Sequence, residues 1–327
     1  MFLVTGGSGY IGSHMMELLL GKGHEVVNFD LVHPQRNKII LPEASFLKTD
    51  ITSYIGTRNS LKLLDGKKID CVFHFAGLIS VEESTRIPAE YFRVNAGGTL
   101  NLISCLREFT DCYKFIFSST AAVYGNPVSH PILEFQKEKP INPYGHSKLL
   151  AEKIIQTLSE YKIKYAILRY FNASGCSSSG ALGEHHQPET HIIPNILLQL
   201  IRGEQGAKFN VFGTDYKTPD GTCIRDYIHV EDLVEAHWKT YEYLSRELSW
   251  PITLNLGSGK GSSIKEVVKA VEEVTGKKIS CENSERRQGD PDILLADISK
   301  AISNLSWSPK RSSLKNIIKT TYDYMRK

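Results

Sequence analysis

Phe2-Leu3-Val4-Thr5-Gly6-Gly7-Ser8-Gly9-Tyr10-Ile11-Gly12 opens the chain with a short apolar strand, a glycine turn and the first turn of a helix. The spacing Gly6-x-x-Gly9-x-x-Gly12 allows a tight turn, a close backbone approach to a pyrophosphate and close packing of helix on strand. The helix N-terminus offers unpaired N–H groups and the positive end of its dipole to phosphates. A glycine triplet alone is a weak sign, but here it lies between the first strand and a helix. Asp30 ends the second predicted strand, where an acid accepts hydrogen bonds from an adenosine ribose. A carboxylate there repels a 2′-phosphate, so the pattern favours NAD over NADP, with Arg36 and Lys38 near enough to offset this in part. Two further strand ends read as cofactor edges: Asp50 with Ile51, and Phe75-Ala76-Gly77. Asp50 reads equally well as a helix cap or a solvated acid.

The pattern continues outward from that opening. Residues 2–5, 25–30, 71–75, 114–118 and 165–169 read as short buried strands, with amphipathic helices over 11–22, 90–108 and 144–161. Alternation of helices with near-continuous apolar strands predicts an α/β fold, a doubly wound parallel sheet covered on both faces. The alternation weakens after about residue 172. Loop-like stretches cover 174–183 and 213–221, and helical patterns return at 192–202, 231–247, 264–275 and 313–325. The expected organisation is a dinucleotide domain over 1–172, with a returning segment near 225–257, and a smaller substrate domain over 173–327.

Composition narrows the classes without naming a chemistry. The 327 residues are 41% hydrophobic and 23% charged, with a formal charge of +3. Near-neutrality argues against a broad nucleic-acid or anionic-membrane surface, and leaves room for a local basic site. No signal-peptide layout and no apolar run of about 20 residues is present. The six cysteines (71, 105, 112, 176, 223 and 281) include no Cys-x-x-Cys pair, which suits reduced thiols in a cytoplasmic protein. His185, His186 and His191 lack metal-ligand spacing and read as a loop, so no metal is expected.

Tyr144-Gly145-His146-Ser147-Lys148 sets a phenol and an ammonium at i and i+4, on one helix face. A free tyrosine has a pKa of about 10. A neighbouring ammonium and a positive nicotinamide favour its phenolate and predict a lowered value. Ser118-Ser119-Thr120 offers a strand-end hydroxyl to share the proton. Tyr-x-x-x-Lys is common by itself. After a glycine turn and a hydroxyl-rich strand end it reads as the catalytic pair of a nicotinamide enzyme.

With these residues in place the chain resembles the extended short-chain dehydrogenase/reductases, and within them the UDP-glucose (UDP-galactose) 4-epimerases, almost end to end. The resemblance rests on residues 4–14, His74 to Leu78, Phe117 to Gly125, Tyr144 to Lys148, Arg169-Tyr170-Phe171-Asn172, Arg225 to Val230 and Arg286 to Asp290. It implies Tyr144 as the acid/base, Lys148 as its modifier and Thr120 as the hydroxyl partner. It implies NAD held by Gly6, Gly9, Tyr10, Ile11, Gly12, Asp30, Asp50, Ile51, Phe75, Ala76, Gly77, Asn95 and Phe171 beside the catalytic three. Asn172 would touch the nucleotide sugar, Arg225 and Arg287 the diphosphate, and Asp290 the uridine ribose. His191, Ile192, Asn210 and Phe212 would line the uracil side.

The implied reaction oxidises the sugar at C4, turns the 4-keto sugar and returns the hydride to its other face. The implied assembly is a homodimer. Two arginines from separate segments are what a diphosphate requires, through bidentate charge-assisted bonds.

Two positions depart from the resemblance. Ile79 stands where a lysine often follows Phe-Ala-Gly-Leu, which bears on cofactor tightness. Leu294 occupies the position that gates the sugar's C2 substituent, and its size leans towards sugars without an N-acetyl group. Other UDP-sugar 4-epimerases remain as alternatives. A 4,6-dehydratase would carry an Asp-Glu pair after the catalytic threonine, where this chain has Ala121-Ala122. A non-catalytic NAD-sensing protein would be expected to lack Tyr144 or Lys148.

Overall fold

The computed structural model describes residues 1–327 apart from 38, 110, 111, 113, 159–162, 185–188, 203–207 and 287–289, and of residue 158 only the backbone. In chain order the first half contains β1 (Phe2–Thr5), α1 (Tyr10–Gly21), β2 (Val26–Asp30), β3 (Ser45–Lys48), α2 (Tyr54–Lys62), β4 (Cys71–His74), α3 (Val81–Arg86) and α4 (Pro88–Tyr91). A π-helical turn (Phe92–Gly97) leads into α5 (Gly98–Phe109), β5 (Lys114–Thr120), α6 (Pro143–Leu158) and β6 (Lys164–Tyr170). The second half contains β7 (Asn172–Ser174), α7 (Ile192–Arg202), β8 (Lys208–Phe212), β9 (Ile224–His229), α8 (Val230–Leu244) and β10 (Ile252–Leu256). It closes with β11 (Gly261–Ser263), α9 (Ile264–Thr275), β12 (Ser280–Ser284), β13 (Ile293–Leu294), α10 (Ser299–Leu305) and α11 (Leu314–Met325).

Seven parallel strands form the main sheet in the order β10-β6-β5-β4-β1-β2-β3. The order reverses between β1 and β4, the switch point where doubly wound sheets bind their ligands. Successive strand residues face opposite sides. Phe2, Val4, Phe73, Ile116 and Leu168 pack with α1 and α8, while Leu3, Val72, Phe115, Phe117 and Ile167 pack with α5 and α6. Both faces are buried, which is why these strands read as continuous apolar runs.

The helix expected over 90–108 forms without a gap, from Pro88 to Phe109, but a π turn interrupts its α-helical geometry. Pro88 starts a new helix at its first position, where its missing N–H is tolerated. The π turn that follows widens the helix and carries Asn95. Strand β3 and the small-sheet strands have no alternating signal long enough to read.

The second half builds its own core from α7, α9 and α11 (Ile193, Ile196, Leu197, Val267, Val271, Ile317 and Ile318). Helix α9 begins with a reciprocal Ser263–Glu266 capping box and ends at the left-handed Gly276. β9 pairs with β7, β11 and β13, and β8 pairs with β12. The return to the main sheet is made by α8 and β10, while β9 stays with the small sheet.

Asp226 on β9 fastens this region together. Its buried carboxylate accepts from Ser258 N (2.6 Å), Ser258 Oγ (2.7 Å), Gly259 N (3.1 Å) and Ala296 N (3.2 Å). Its carbonyl accepts from Asn172 Nδ2 at 2.9 Å. Asp226→Ala strands three backbone donors and a hydroxyl. It is expected to lower stability by more than about 3 kcal/mol, read as a drop in the thermal midpoint by circular dichroism. An unchanged midpoint would show that water replaces the carboxylate without loss.

Candidate active site

The glycine turn is built as its spacing requires. Gly6 has φ +73°, and a Cβ there would sit 2.6 Å from Ala76 N, while a Cβ on Gly12 would run into the Gly6 carbonyl. Helix α1 therefore starts directly against the loop. Its N-cap, Gly9, gives it no side-chain cap, so its first amides face the switch point without competition from their own cap. Asp30 accepts from Ser8 N and Val32 N, both at 3.0 Å, which ties the end of β2 to the loop. Burial pushes its carboxyl up, against those bonds. Tyr10 donates its hydroxyl to Gly175 O at 2.5 Å, clasping the loop to the second half, and Ile11 packs on the core.

The other predicted edges lie on the same side of the sheet. One Asp50 oxygen closes a turn onto Thr52 N and Thr52 Oγ1 (2.9 and 2.7 Å), and it is Ser53, not Asp50, that caps α2. Ile51 is buried against Gly98. Phe75 and Ala76 donate their amides to Thr5 O and Oγ1 (3.0 and 3.3 Å). A Cβ on Gly77 would meet Asn95 Oδ1 at 2.8 Å and Lys148 Nζ at 3.4 Å, so this glycine is where the β4 loop, the π turn and α6 converge. Asn95 grips Leu78 from both sides (N to Oδ1 2.8 Å, Nδ2 to O 3.1 Å) and donates to Ser147 Oγ at 2.9 Å. Ser147 was not foreseen, because a small polar residue between Tyr144 and Lys148 has no pattern of its own.

Thr120 ends β5 beside Tyr144, and its Oγ1 accepts from Ala122 N at 3.1 Å. One turn further along α6, Lys148 is 3% exposed and gives Nζ to the Ser118 carbonyl at 2.9 Å. Phe117 lies under this ammonium, 4.8 Å from ring centre to nitrogen. Burial brings Lys148 down to about 8, against the pull of Glu152. The expected lowering of Tyr144 is reversed in the polypeptide itself: burial pushes the phenol up, and the Thr120 hydrogen bond only partly opposes this. Desolvation disfavours the charged phenolate and sets the direction. His74, between Thr5 Oγ1 (2.6 Å) and Thr99 Oγ1 (2.9 Å), falls to about 3 through burial and then Lys148, and stays neutral.

The substrate residues divide. Arg225 and Asp290 come together at 3.3 Å, with Arg225 also donating to the Ile224 and Pro291 carbonyls (3.0 and 2.9 Å). Asn172 and Phe171 lie on the strand end leading from β6. Phe171 packs with Val123, Tyr124, Ala296 and the partly buried Leu294. Asn210 and Phe212 lie on β8, and Ile192 begins α7. His191 is ion-paired with Glu184 (2.7 Å) and Glu189 (3.1 Å), which push it up to about 10 despite partial burial. Arg287, like His185 and His186, lies outside the described residues. Its neighbour Arg286 stacks on Tyr216 at 4.0 Å and pairs with Asp215 at 2.6 Å. That contact joins two loops far apart in sequence and leaves no local signal.

Residues 2–257 match the NAD dependent epimerase/dehydratase family, and the chain belongs to it. It is 41% identical to a UDP-glucose 4-epimerase of Lactobacillus helveticus over 323 residues, covering 98% of this chain and 96% of that protein. The crystal structure of UDP-glucose 4-epimerase from Brucella ovis in complex with NAD has a TM-score of 0.91 at 40% identity, covering 99% of this chain and 98% of that one. The Bifidobacterium longum enzyme in complex with NAD+ and UDP gives 0.89 at 34% identity, covering 99% and 97%.

Lysine labelled with 13C at Cε should report the Lys148 environment directly. One resonance, lost in Lys148→Arg, is expected to titrate near pH 8. A midpoint at the ordinary lysine value of about 10.4 would contradict this degree of desolvation.

Proposed function

We propose that the chain is a UDP-glucose 4-epimerase that interconverts UDP-glucose and UDP-galactose with NAD. The observation that carries this reading is the buried Lys148 given to the Ser118 carbonyl, one helical turn from Tyr144 and at the same sheet edge as the glycine cradle. The uncapped α1 N-terminus suits a pyrophosphate, and Asp30 suits a ribose without a 2′-phosphate. When bound, NAD supplies the acceptor and donor of the C4 hydride. Tyr144 takes the proton of the sugar's C4 hydroxyl, with Thr120 Oγ1 holding that oxygen, and returns it after the 4-keto sugar has turned. Lys148 favours the phenolate as its positive neighbour. Arg225, with Arg287, binds the diphosphate, and Asp290 and Asn172 hold the nucleotide sugar. This remote binding keeps the keto sugar in the site while it turns.

Ala121 and Ala122 follow Thr120 and carry no proton, which favours epimerisation over 4,6-dehydration. Leu294, against Phe171, narrows the wall expected beside the sugar's C2. The chain divides into an NAD-binding part (1–172 with the return near 225–257) and a UDP-sugar part (173–327). Among the described residues no helix is long and apolar enough to cross a membrane, which fits a cytoplasmic enzyme. Outward-facing Leu100 on α5 and Leu150 on α6 suit a homodimer paired through these helices. Sedimentation at twice 36.7 kDa would support the pairing, and a species of 36.7 kDa would oppose it.

Purified protein with NAD should interconvert UDP-glucose and UDP-galactose without added reductant. Tyr144→Phe is expected to lower kcat by at least about 10²-fold. A product that has lost its C6 oxygen would identify a dehydratase instead. Leu294→Ala should raise turnover of UDP-N-acetylglucosamine relative to UDP-glucose, and an unchanged ratio would remove Leu294 from the specificity wall.

A further inference from the structure

Three successive residues at the end of β5 are each tied to a different turn of α6. Thr120 lies beside Tyr144, the Ser118 carbonyl receives Lys148 Nζ, and the Ser119 hydroxyl donates to Glu152 Oε1. Tyr144, Lys148 and Glu152 follow one another at four-residue intervals along one helix face. The first two ties involve groups assigned above to the reaction. The third is set back from it, behind the strand.

Glu152 is fully buried. Its carboxylate is gripped by Arg169 on β6, through Nε to Oε1 at 3.0 Å and Nη2 to Oε2 at 2.5 Å. Arg169 is 1% exposed and lies over the Tyr124 ring at 5.0 Å. It donates Nη1 to Tyr124 Oη (3.1 Å) and the Glu134 carbonyl (3.3 Å), and Nη2 also to Glu138. Removing two charges from water costs several kcal/mol per ion, and a well-packed apolar set is often as stable or more so. A buried ion pair joined by hydrogen bond to the strand that presents Thr120 therefore calls for a reason other than stability.

We propose that Glu152 is a positioning residue for the Tyr144–Lys148 pair: braced by Arg169, it holds the Ser118–Thr120 segment on α6 so that the Ser118 carbonyl meets Lys148 and the Thr120 hydroxyl meets Tyr144. The proposal rests on the assignment of Tyr144 and Lys148 to catalysis. It adds an electrostatic consequence. The charged groups facing Glu152 are Arg169 and, beyond it, Glu138 with its surface partner Lys153. Those facing Lys148 are His74, held neutral, and the phenol Tyr144. Glu152 is the acid that raises Lys148 against burial. Losing its charge lets Lys148 shed its proton at lower pH.

The test compares wild type, Glu152→Gln and Ser119→Ala, each loaded with NAD, by thermal midpoint, kcat and KM for UDP-galactose across pH, and the Lys148 13C titration. Glu152→Gln removes the charge and keeps an acceptor for Ser119. Its kcat is expected to fall about tenfold with KM little changed. The alkaline limb of its pH profile and the Lys148 midpoint should move together to lower pH by about one unit. Ser119→Ala cuts the tie and leaves the ion pair, so its kcat should fall severalfold with the Lys148 midpoint in place.

Folded variants that keep the wild-type kcat, pH limb and Lys148 midpoint would overturn the proposal, leaving Glu152 a purely structural residue. If Glu152→Gln fails to fold, wild-type kcat in Ser119→Ala overturns it alone. An inactive wild type would count against the epimerase reading instead, and the Lys148 titration in the variants would still decide the electrostatic part.

Discussion

Lys148 Nζ on the Ser118 carbonyl joins the helix that carries the phenol to the strand that carries the hydroxyl. Neither element orients its side chain alone. β5 is an interior strand of the main sheet, paired on both sides with β4 and β6. α6 packs on that strand and is held as well by the π turn through Asn95 and by β6 through Arg169. A buried ammonium given to a backbone carbonyl, with an aromatic face beneath it, is a costly arrangement that persists only when the surroundings hold it in place. The glycine cradle, the Asn95 clamp and the neutral His74 all close around the same point. The sheet supplies rigidity and the switch point supplies the opening.

The second half meets this frame through polar ties as well as the shared apolar core under α1 and α8. Tyr10 reaches Gly175 from the glycine turn, and Asp226 binds the 258–259 turn, Ala296 and Asn172 into one unit. Arg225 precedes Asp226 on β9, and Leu294 on β13 is in register with Arg225, so the residues proposed to face the diphosphate and the sugar lie beside one buried carboxylate. Backbone donors on a buried acid give it fixed directions without a mobile countercharge.

Much of the nucleotide-binding half was readable along the chain. Strands β1, β2, β4, β5 and β6, helix α1 and the glycine turn each occupy one contiguous stretch, where apolar runs and glycine spacing carry the information. α7, α9 and α11 were readable for the same reason, through their helical periodicity. β3 was missed because it is a short edge strand with half-exposed residues. The π turn within the 90–108 helix has no sequence signal because it leaves no gap in an apolar pattern. The lowering expected for Tyr144 weighed a neighbouring charge without the burial that opposes it, and burial depends on packing that sequence does not show.

The sequence by itself determined the strands and helices of the parallel sheet, the glycine turn, and the placing of Tyr144 one helical turn before Lys148, because each is written in residues within a few positions of one another. Tertiary structure alone decided which acid braces the pair, how deeply Lys148 is desolvated, and that Arg225 meets Asp290 while Arg286 stacks on Tyr216. Those contacts join segments tens of residues apart. Their strength comes from removal of water and from hydrogen-bond geometry, and neither exists until the chain is folded.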